Sequence, residues 1–227
     1  MTVTDNLQII GAKLKHFAEK YQRAASDIQL LAVSKRHPVT AIREAYAAGQ
    51  TAFGENYAQE LLEKAEQLDD LPIEWHFIGP LQSNKSRKIA AVASWVHSID
   101  RIKIARRLNH QRAVNLPRLN VCIQVNISQE ASKSGILPAE LFDFAEQLAQ
   151  LPRLKLRGLM VIPAAETEFD KQRAVFAETA ALLRQLNHKG FQLDTLSMGM
   201  SSDMEAAIAE GATIVRIGTA IFGQRKS

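Results

Sequence analysis

Short apolar runs alternate along this chain with longer segments whose apolar residues recur at helical spacing. Residues 4–24 place Leu7, Ile10, Leu14 and Phe17 on one face and predict a helix. The apolar run 28–33 predicts a first strand. Residues 39–48 predict a helix that starts behind Pro38 and stops at Gly49. Further strands are predicted at 51–53, 74–78, 95–98, 120–126, 154–160, 195–197 and 213–217. Helices fall between them at 58–68, up to Ala93, 101–114, 138–150, 169–187 and 204–210. Ser83 or Asn84 is the expected cap of the helix reaching Ala93. Lys189 and Gly190 stop the long helix before strand seven. A glycine-bearing loop, 128–136, follows strand five.

Eight strand-like runs, each followed by a helix or helix start, predict an α/β protein with a parallel sheet. In a chain of 227 residues this implies a single (β/α)8 TIM-type barrel with an extra N-terminal helix, spanning 1–227 as one domain. An open doubly wound sheet is the alternative. No glycine-rich dinucleotide turn follows strand one, which favours the barrel.

Composition narrows the setting. The balance of 46% hydrophobic and 23% charged residues is that of a globular protein, and no apolar stretch is long enough to span a bilayer. The N-terminus lacks a signal-peptide pattern, and the single cysteine suits a reducing cytoplasm. Cys122 lies in an apolar run and reads as core filler. The net charge of +4 comes from basic residues mixed with acids along helices, so a solvated surface is expected and nucleic acid is not. The six histidines show no ligand spacing, so no structural metal is expected.

In such a barrel the chemistry collects at the strand C-termini. Strand one ends in Ser34 and Lys35, strand two in Glu55 and Asn56, and strand four in His97 and Asp100. Strand seven ends in Ser197 and runs on through Met198-Gly-Met-Ser201. Strand eight ends in Arg216, Gly218 and Thr219. The last two loops form a candidate phosphate site: Gly199 and Gly218 allow backbone approach, and Ser201 and Thr219 offer hydroxyls. The plainer reading of 201–203 is a helix N-cap. A partly desolvated lysine forms Schiff bases with aldehydes, and a lysine beside a phosphate site is how pyridoxal phosphate is held. Arg216 at the barrel mouth would keep a pyridine nitrogen unprotonated. His76 and His97 read first as satisfied core histidines, and Met198, Met200 and Met204 as packing or pocket walls.

These motifs carry a resemblance. Leu31-Ala-Val-Ser-Lys35, Phe53-Gly-Glu-Asn-Tyr57, the run from Trp75-His-Phe-Ile-Gly-Pro80 to Lys85, Lys133-Ser-Gly135, Gly158-Leu-Met160, Leu196-Ser-Met-Gly-Met-Ser201 and Arg216-Ile-Gly-Thr-Ala-Ile-Phe-Gly223 occur in order across nearly the whole chain. The chain resembles the pyridoxal phosphate homeostasis proteins, single-domain relatives of the alanine racemase barrel. The resemblance implies that Lys35 carries pyridoxal 5'-phosphate as an aldimine and that Asn56 lies in its pocket. It also implies that Arg216 lies near the pyridine nitrogen, that Ser201, Gly218 and Thr219 hold the phosphate, and that Ser197 and Met200 lie close by.

Three functions are compatible with this reading. The expected one is a monomeric carrier or regulator of the cofactor and of amino- and keto-acid balance, serving PLP-dependent apoenzymes. An amino-acid racemase is the alternative, but it needs a second acid/base across the Cα. Tyr57 is the one tyrosine expected near a strand end, and the chain ends soon after strand eight, where a racemase continues into a second domain. A cofactor-free aldolase would not need Arg216.

Overall fold

The computed structural model describes residues 1–130 and 133–224. Part of the predicted 128–136 loop (131–132) and the tail 225–227 lie outside the described residues. Eight parallel strands close into a barrel in sequence order: β1 (Gln29–Val33), β2 (Ala52–Glu55), β3 (Glu74–Phe77), β4 (Trp95–Ile99), β5 (Leu119–Gln124), β6 (Leu154–Met160), β7 (Thr195–Ser197) and β8 (Ile214–Ile217). Pairing of β1 with β8, from Gln29 opposite Ile214 to Ala32 opposite Ile217, makes the closure.

Helices α2 (Val39–Ala47), α3 (Ala58–Gln67), α4 (Ser86–Val92), α5 (Ile102–Gln111), α6 (Leu141–Ala149), α7 (Phe169–His188) and α8 (Met204–Ala209) alternate with the strands. They follow α1 (Val3–Lys20), and a one-turn helix α9 (Thr219–Phe222) follows β8. The open-sheet alternative is excluded.

Strand pleating sorts the residues into two cores. Leu31, Val33, Ala52, Ile78, Trp95, Cys122, Met160 and Ile214 point into the barrel. Their neighbours, such as Ala32, Phe53, Phe77, Val121 and Val215, pack outward beneath the helices. Cys122 is fully buried, and burial pushes its thiol up to about 12. Register shifts place an extra residue in β4, between Val96 and Ile99, and in β6, between Leu156 and Gly158, the irregularity that re-aims side chains in sheets.

Helix boundaries depart from the hydrophobic pattern where local bonding ends the turn. Helix α1 carries a capping box between Thr2 and Asp5, and it stops at Lys20, before the predicted Ala24. Gln22 takes φ 55°, and the Arg23 guanidinium donates to the Ile208 and Ala212 carbonyls instead of continuing the helix. Neither Ser83 nor Asn84 caps α4. Its N-cap is Lys85, and Ser86 Oγ donates back to the Ser83 carbonyl.

Two glycines make opposite predictions. A Cβ on Gly158 would lie 1.8 Å from the Thr195 carbonyl oxygen, where β6 meets β7. Gly11 lies inside α1 with nothing within 4 Å of its Cβ position. In urea melts Gly158→Ala is expected to destabilise by about 1–3 kcal/mol. Gly11→Ala is expected to stabilise by about 0.5–1 kcal/mol.

Candidate functional site

A cavity of about 300 Å³ opens at the C-terminal ends of the strands. The structure brings Lys35, Asn56, Met200, Ser201, Arg216, Gly218 and Thr219 together around it. Val33, Ile78 and Ile162 supply apolar wall, and His37 and Ser202 complete the polar lining. The volume is at the lower end of small-ligand sites.

Lys35 stands two residues beyond inward-facing Val33, so the pleat of β1 carries it towards the barrel mouth. The corner after it is held tightly. Arg36 takes φ 62°, a left-handed conformation that a non-glycine residue keeps only when its surroundings impose it. Glu60 accepts the Arg36 N–H. Lys64 Nζ, nearly buried, donates at 2.7 Å to the Ser34 carbonyl and to Glu55 Oε1. It also pairs with Glu60 at 2.7 Å, and Ser34 Oγ donates to the same Glu55 oxygen. Burial pushes Glu55 above the usual carboxylate range, and Lys64 opposes that push. The ion pair lies outside the barrel, between β2 and α3, and fixes the corner from which Lys35 projects.

Asn56 is placed by a close backbone approach. A Cβ on Gly79 would sit 2.0 Å from the Asn56 carbonyl oxygen, so only glycine lets the β3 end pack there. Asn56 Oδ1 is buried without a hydrogen-bond partner among the described residues. A buried amide at a cavity wall without a partner has hydrogen-bonding capacity left for a ligand.

The opposite wall is made by the loops after β7 and β8. Gly199 has φ 93°, and a Cβ there would meet Ala207 Cβ at 2.5 Å, so this glycine serves the turn and its packing and does not line the cavity. Asp203 precedes α8 but its side chain makes no forward cap. Its Oδ1 accepts the Met200 N–H at 2.5 Å and ties the loop back. Ser201, Ser202 and Thr219 present hydroxyls, and Thr219 opens α9 beside Gly218. Met198 and Met204 are core residues, whereas Met200 is partly exposed at the rim.

Arg216 forms the inner wall. Its side chain is buried, Nη1 donates to Ser197 Oγ at 2.9 Å and Nη2 to the Val161 carbonyl at 2.9 Å. Burial lowers it to about 10, which leaves it charged at neutral pH. Ser197 is fully buried beneath this wall and does not line the cavity. His97 Nδ1 lies 2.8 Å from Ser197 Oγ, and His97 Nε2 lies 2.9 Å from His76 Nδ1. Both imidazoles are fully buried, and burial holds both below the usual histidine range, His97 well below. Tyr57 is exposed on the outer side of the corner, with the Arg36 guanidinium over its ring.

Neither His37 nor Ser202 carries a sequence signal that marks it as a cavity residue. His37 stacks on Phe222 of α9, a contact between chain segments far apart. Ser202 differs from Ser201 only by its place in the loop. Among the described residues no cluster of metal-ligating side chains occurs, and no helix is long and apolar enough to cross a membrane.

The alanine racemase N-terminal domain family matches residues 9–226. A pyridoxal phosphate homeostasis protein of Pseudomonas aeruginosa is 56% identical, over 99% of this chain and 96% of that protein. The chain belongs to this family. The homeostasis protein of Escherichia coli is 54% identical over 98% of the chain and 97% of its own length. The family member PipY of Synechococcus elongatus, solved with PLP bound, superposes with a TM-score of 0.83 at 40% identity, covering 98% of this chain and all of PipY. Alanine racemase of Clostridium difficile shares the barrel at 16% identity and a TM-score of 0.75, and the chain covers 58% of it.

The site's geometry makes two predictions. Lys64→Met leaves the Glu55 carboxylate buried without its cation and should cost about 3–5 kcal/mol in chemical denaturation. Adding Glu55→Gln removes that charge and should recover much of the loss. Cys122, buried and protonated, should react with thiol reagents only after unfolding.

Proposed function

We propose that this chain binds pyridoxal 5'-phosphate in the cavity at the strand ends and acts as a carrier that maintains the cell's supply of the cofactor. The observation that carries this reading is the lining itself. One small cavity holds a lysine amine, a buried guanidinium, a wall of hydroxyls and backbone, and an unsatisfied asparagine oxygen. Those groups match an aldehyde, a pyridine ring and a phosphate.

In this reading Lys35 joins the aldehyde covalently as a Schiff base, from a corner that Lys64 and Glu60 hold rigid. Ser201, Gly218 and Thr219 receive the phosphate, with Ser202 beside them. Asn56 hydrogen-bonds the ring substituents, and Met200 covers the rim. Arg216 donates towards the ring nitrogen, and Ser197 supports Arg216 from below. When bound, the cofactor supplies an electron-withdrawing ring. A charged donor at its nitrogen keeps that nitrogen unprotonated and weakens the sink, which favours holding the cofactor over using it. The family's name and the PLP-bound PipY support the ligand assignment. Transfer to PLP-dependent apoenzymes, a cytoplasmic location and a monomeric state complete the proposal.

A second reading, weak amino-acid racemisation, draws on His37, which lines the cavity beside Lys35 and offers a second acid/base group. Formation of D-isomers from a panel of L-amino acids, abolished by His37→Asn, would favour it.

The carrier reading predicts a yellow protein. Borohydride should fix the adduct in the wild type and not in Lys35→Ala. Thr219→Val should raise the Kd for pyridoxal phosphate about tenfold, the loss of one hydrogen bond to a charged group, and leave that for pyridoxal unchanged. A wild-type protein with no reducible adduct would contradict the assignment.

A further inference from the structure

A continuous line of hydrogen bonds crosses the inside of the barrel beneath the cavity, joined at Glu74 by Gln29. Glu74 Oε1 lies 2.5 Å from His76 Nε2, at the end of β3 remote from the cavity. His76 Nδ1 meets His97 Nε2 at 2.9 Å, His97 Nδ1 meets Ser197 Oγ at 2.8 Å, and Ser197 Oγ meets Arg216 Nη1 at 2.9 Å. The participants come from β3, β4, β7 and β8, and the side chains of both imidazoles, Ser197 and Arg216 are buried. The Glu74 end reaches solvent, with its side chain 41% exposed, and the Arg216 end reaches the cavity wall.

The direction of every proton in this line is determined. Arginine only donates, so Ser197 Oγ accepts from Nη1. At the other end, hydrogen bonding from His76 holds Glu74 below the usual carboxylate range, so it is ionised and only accepts. His76 Nε2 therefore carries a proton. Burial keeps His76 neutral, which leaves Nδ1 bare, so it must accept from His97 Nε2–H. His97 is neutral for the same reason, and its bare Nδ1 accepts the Ser197 hydroxyl proton. Each group has one role, and all the protons point from Arg216 towards Glu74. Trp95 stacks on His76 at 5.4 Å and 7°, which fixes the plane of the first ring.

We infer that Glu74, His76 and His97 are positioning residues: acting through Ser197, they set the orientation of Arg216 at the cavity wall from the opposite end of the barrel. The line uses one Nη1 donor, Val161 takes one from Nη2, and the guanidinium can turn its other N–H groups to the cavity. A buried polar group is satisfied by any partner. Here the partners also form a continuous, one-directional path to the group that faces the ligand. The consequence for the ligand rests on the cofactor reading above. The proton order does not.

The test is 15N NMR of histidine-labelled protein at neutral pH, combined with pyridoxal phosphate affinity. Both His76 and His97 are expected as neutral Nε2–H tautomers before any ligand is added. Glu74→Leu should mix the tautomers at both rings and raise the cofactor Kd about tenfold. Glu74→Gln, which keeps an acceptor, should restore the tautomers and most of the affinity. If Glu74→Leu does not fold, Ser197→Ala takes its place: it cuts the line at Arg216, so the tautomers set from Glu74 should persist while the cofactor Kd rises about tenfold. An Nδ1–H tautomer at His97 in the wild type would overturn the proposal. So would a folded Glu74→Leu whose melting temperature falls while tautomers and affinity stay as they were, or a folded Ser197→Ala whose affinity is unchanged. A wild type that shows the predicted tautomers and binds no cofactor would refute the cofactor reading and leave the proton order standing.

Discussion

A guanidinium cannot lie inside a barrel without acceptors. Moving a cation out of water is costly unless its donors are met, and Arg216 is buried at a cavity wall whose apolar part is Val33, Ile78 and Ile162. The Val161 carbonyl and Ser197 Oγ meet that need. Ser197 in turn gives its own proton to His97 Nδ1, 2.8 Å away. His97 donates to His76 in the same way, and His76 to Glu74 at the solvent edge. The polar line from Arg216 to Glu74 thus follows from one charge placed at the cavity wall.

A parallel constraint acts on the outside. Glu55 points away from the barrel axis, beneath α3, and is neutralised there by Lys64. The same ammonium holds the Ser34 carbonyl, and Glu60 holds the backbone of the left-handed Arg36. Lys35 therefore projects from a corner with little freedom to relax. The two walls of the cavity are organised separately, the lysine wall by an ion pair outside the sheet and the arginine wall by a hydrogen-bonded line within it. Both sets of supports lie on strands and helices, and the exposed hydroxyl loops after β7 and β8 supply the adaptable part of the site.

Much of this was legible in the sequence, because the signals are local. Apolar runs alternating with amphipathic segments gave eight strands in order, and strand-end chemistry singled out Lys35, Asn56 and Arg216. What escaped depends on distance in the chain. Glu60 and Lys64 look like an ordinary surface pair one helical turn apart, and nothing near them reveals that Glu55 folds beneath. Gly199 reads as an anion-binding glycine until its contact with Ala207 shows a packing role. Ser197 looks like a pocket residue because it ends a strand, yet β7 is short and its last side chain stays below the cavity floor. His76 and His97 each look like isolated core histidines. Inward parity was the available signal: His76 lies two residues before inward-facing Ile78, and His97 two after Trp95. Their meeting still required the barrel to close.

The central claim is that one cavity binds pyridoxal phosphate between a rigid lysine corner and a buried arginine. A crystal structure of the chain grown with the cofactor tests it most directly. The account predicts density continuous with Lys35 Nζ, a phosphate against Ser201, Gly218 and Thr219, and a ring nitrogen within hydrogen-bonding distance of Arg216. Cofactor bound elsewhere, or lying in the cavity with its phosphate towards Asn56 and its ring away from Arg216, would contradict it.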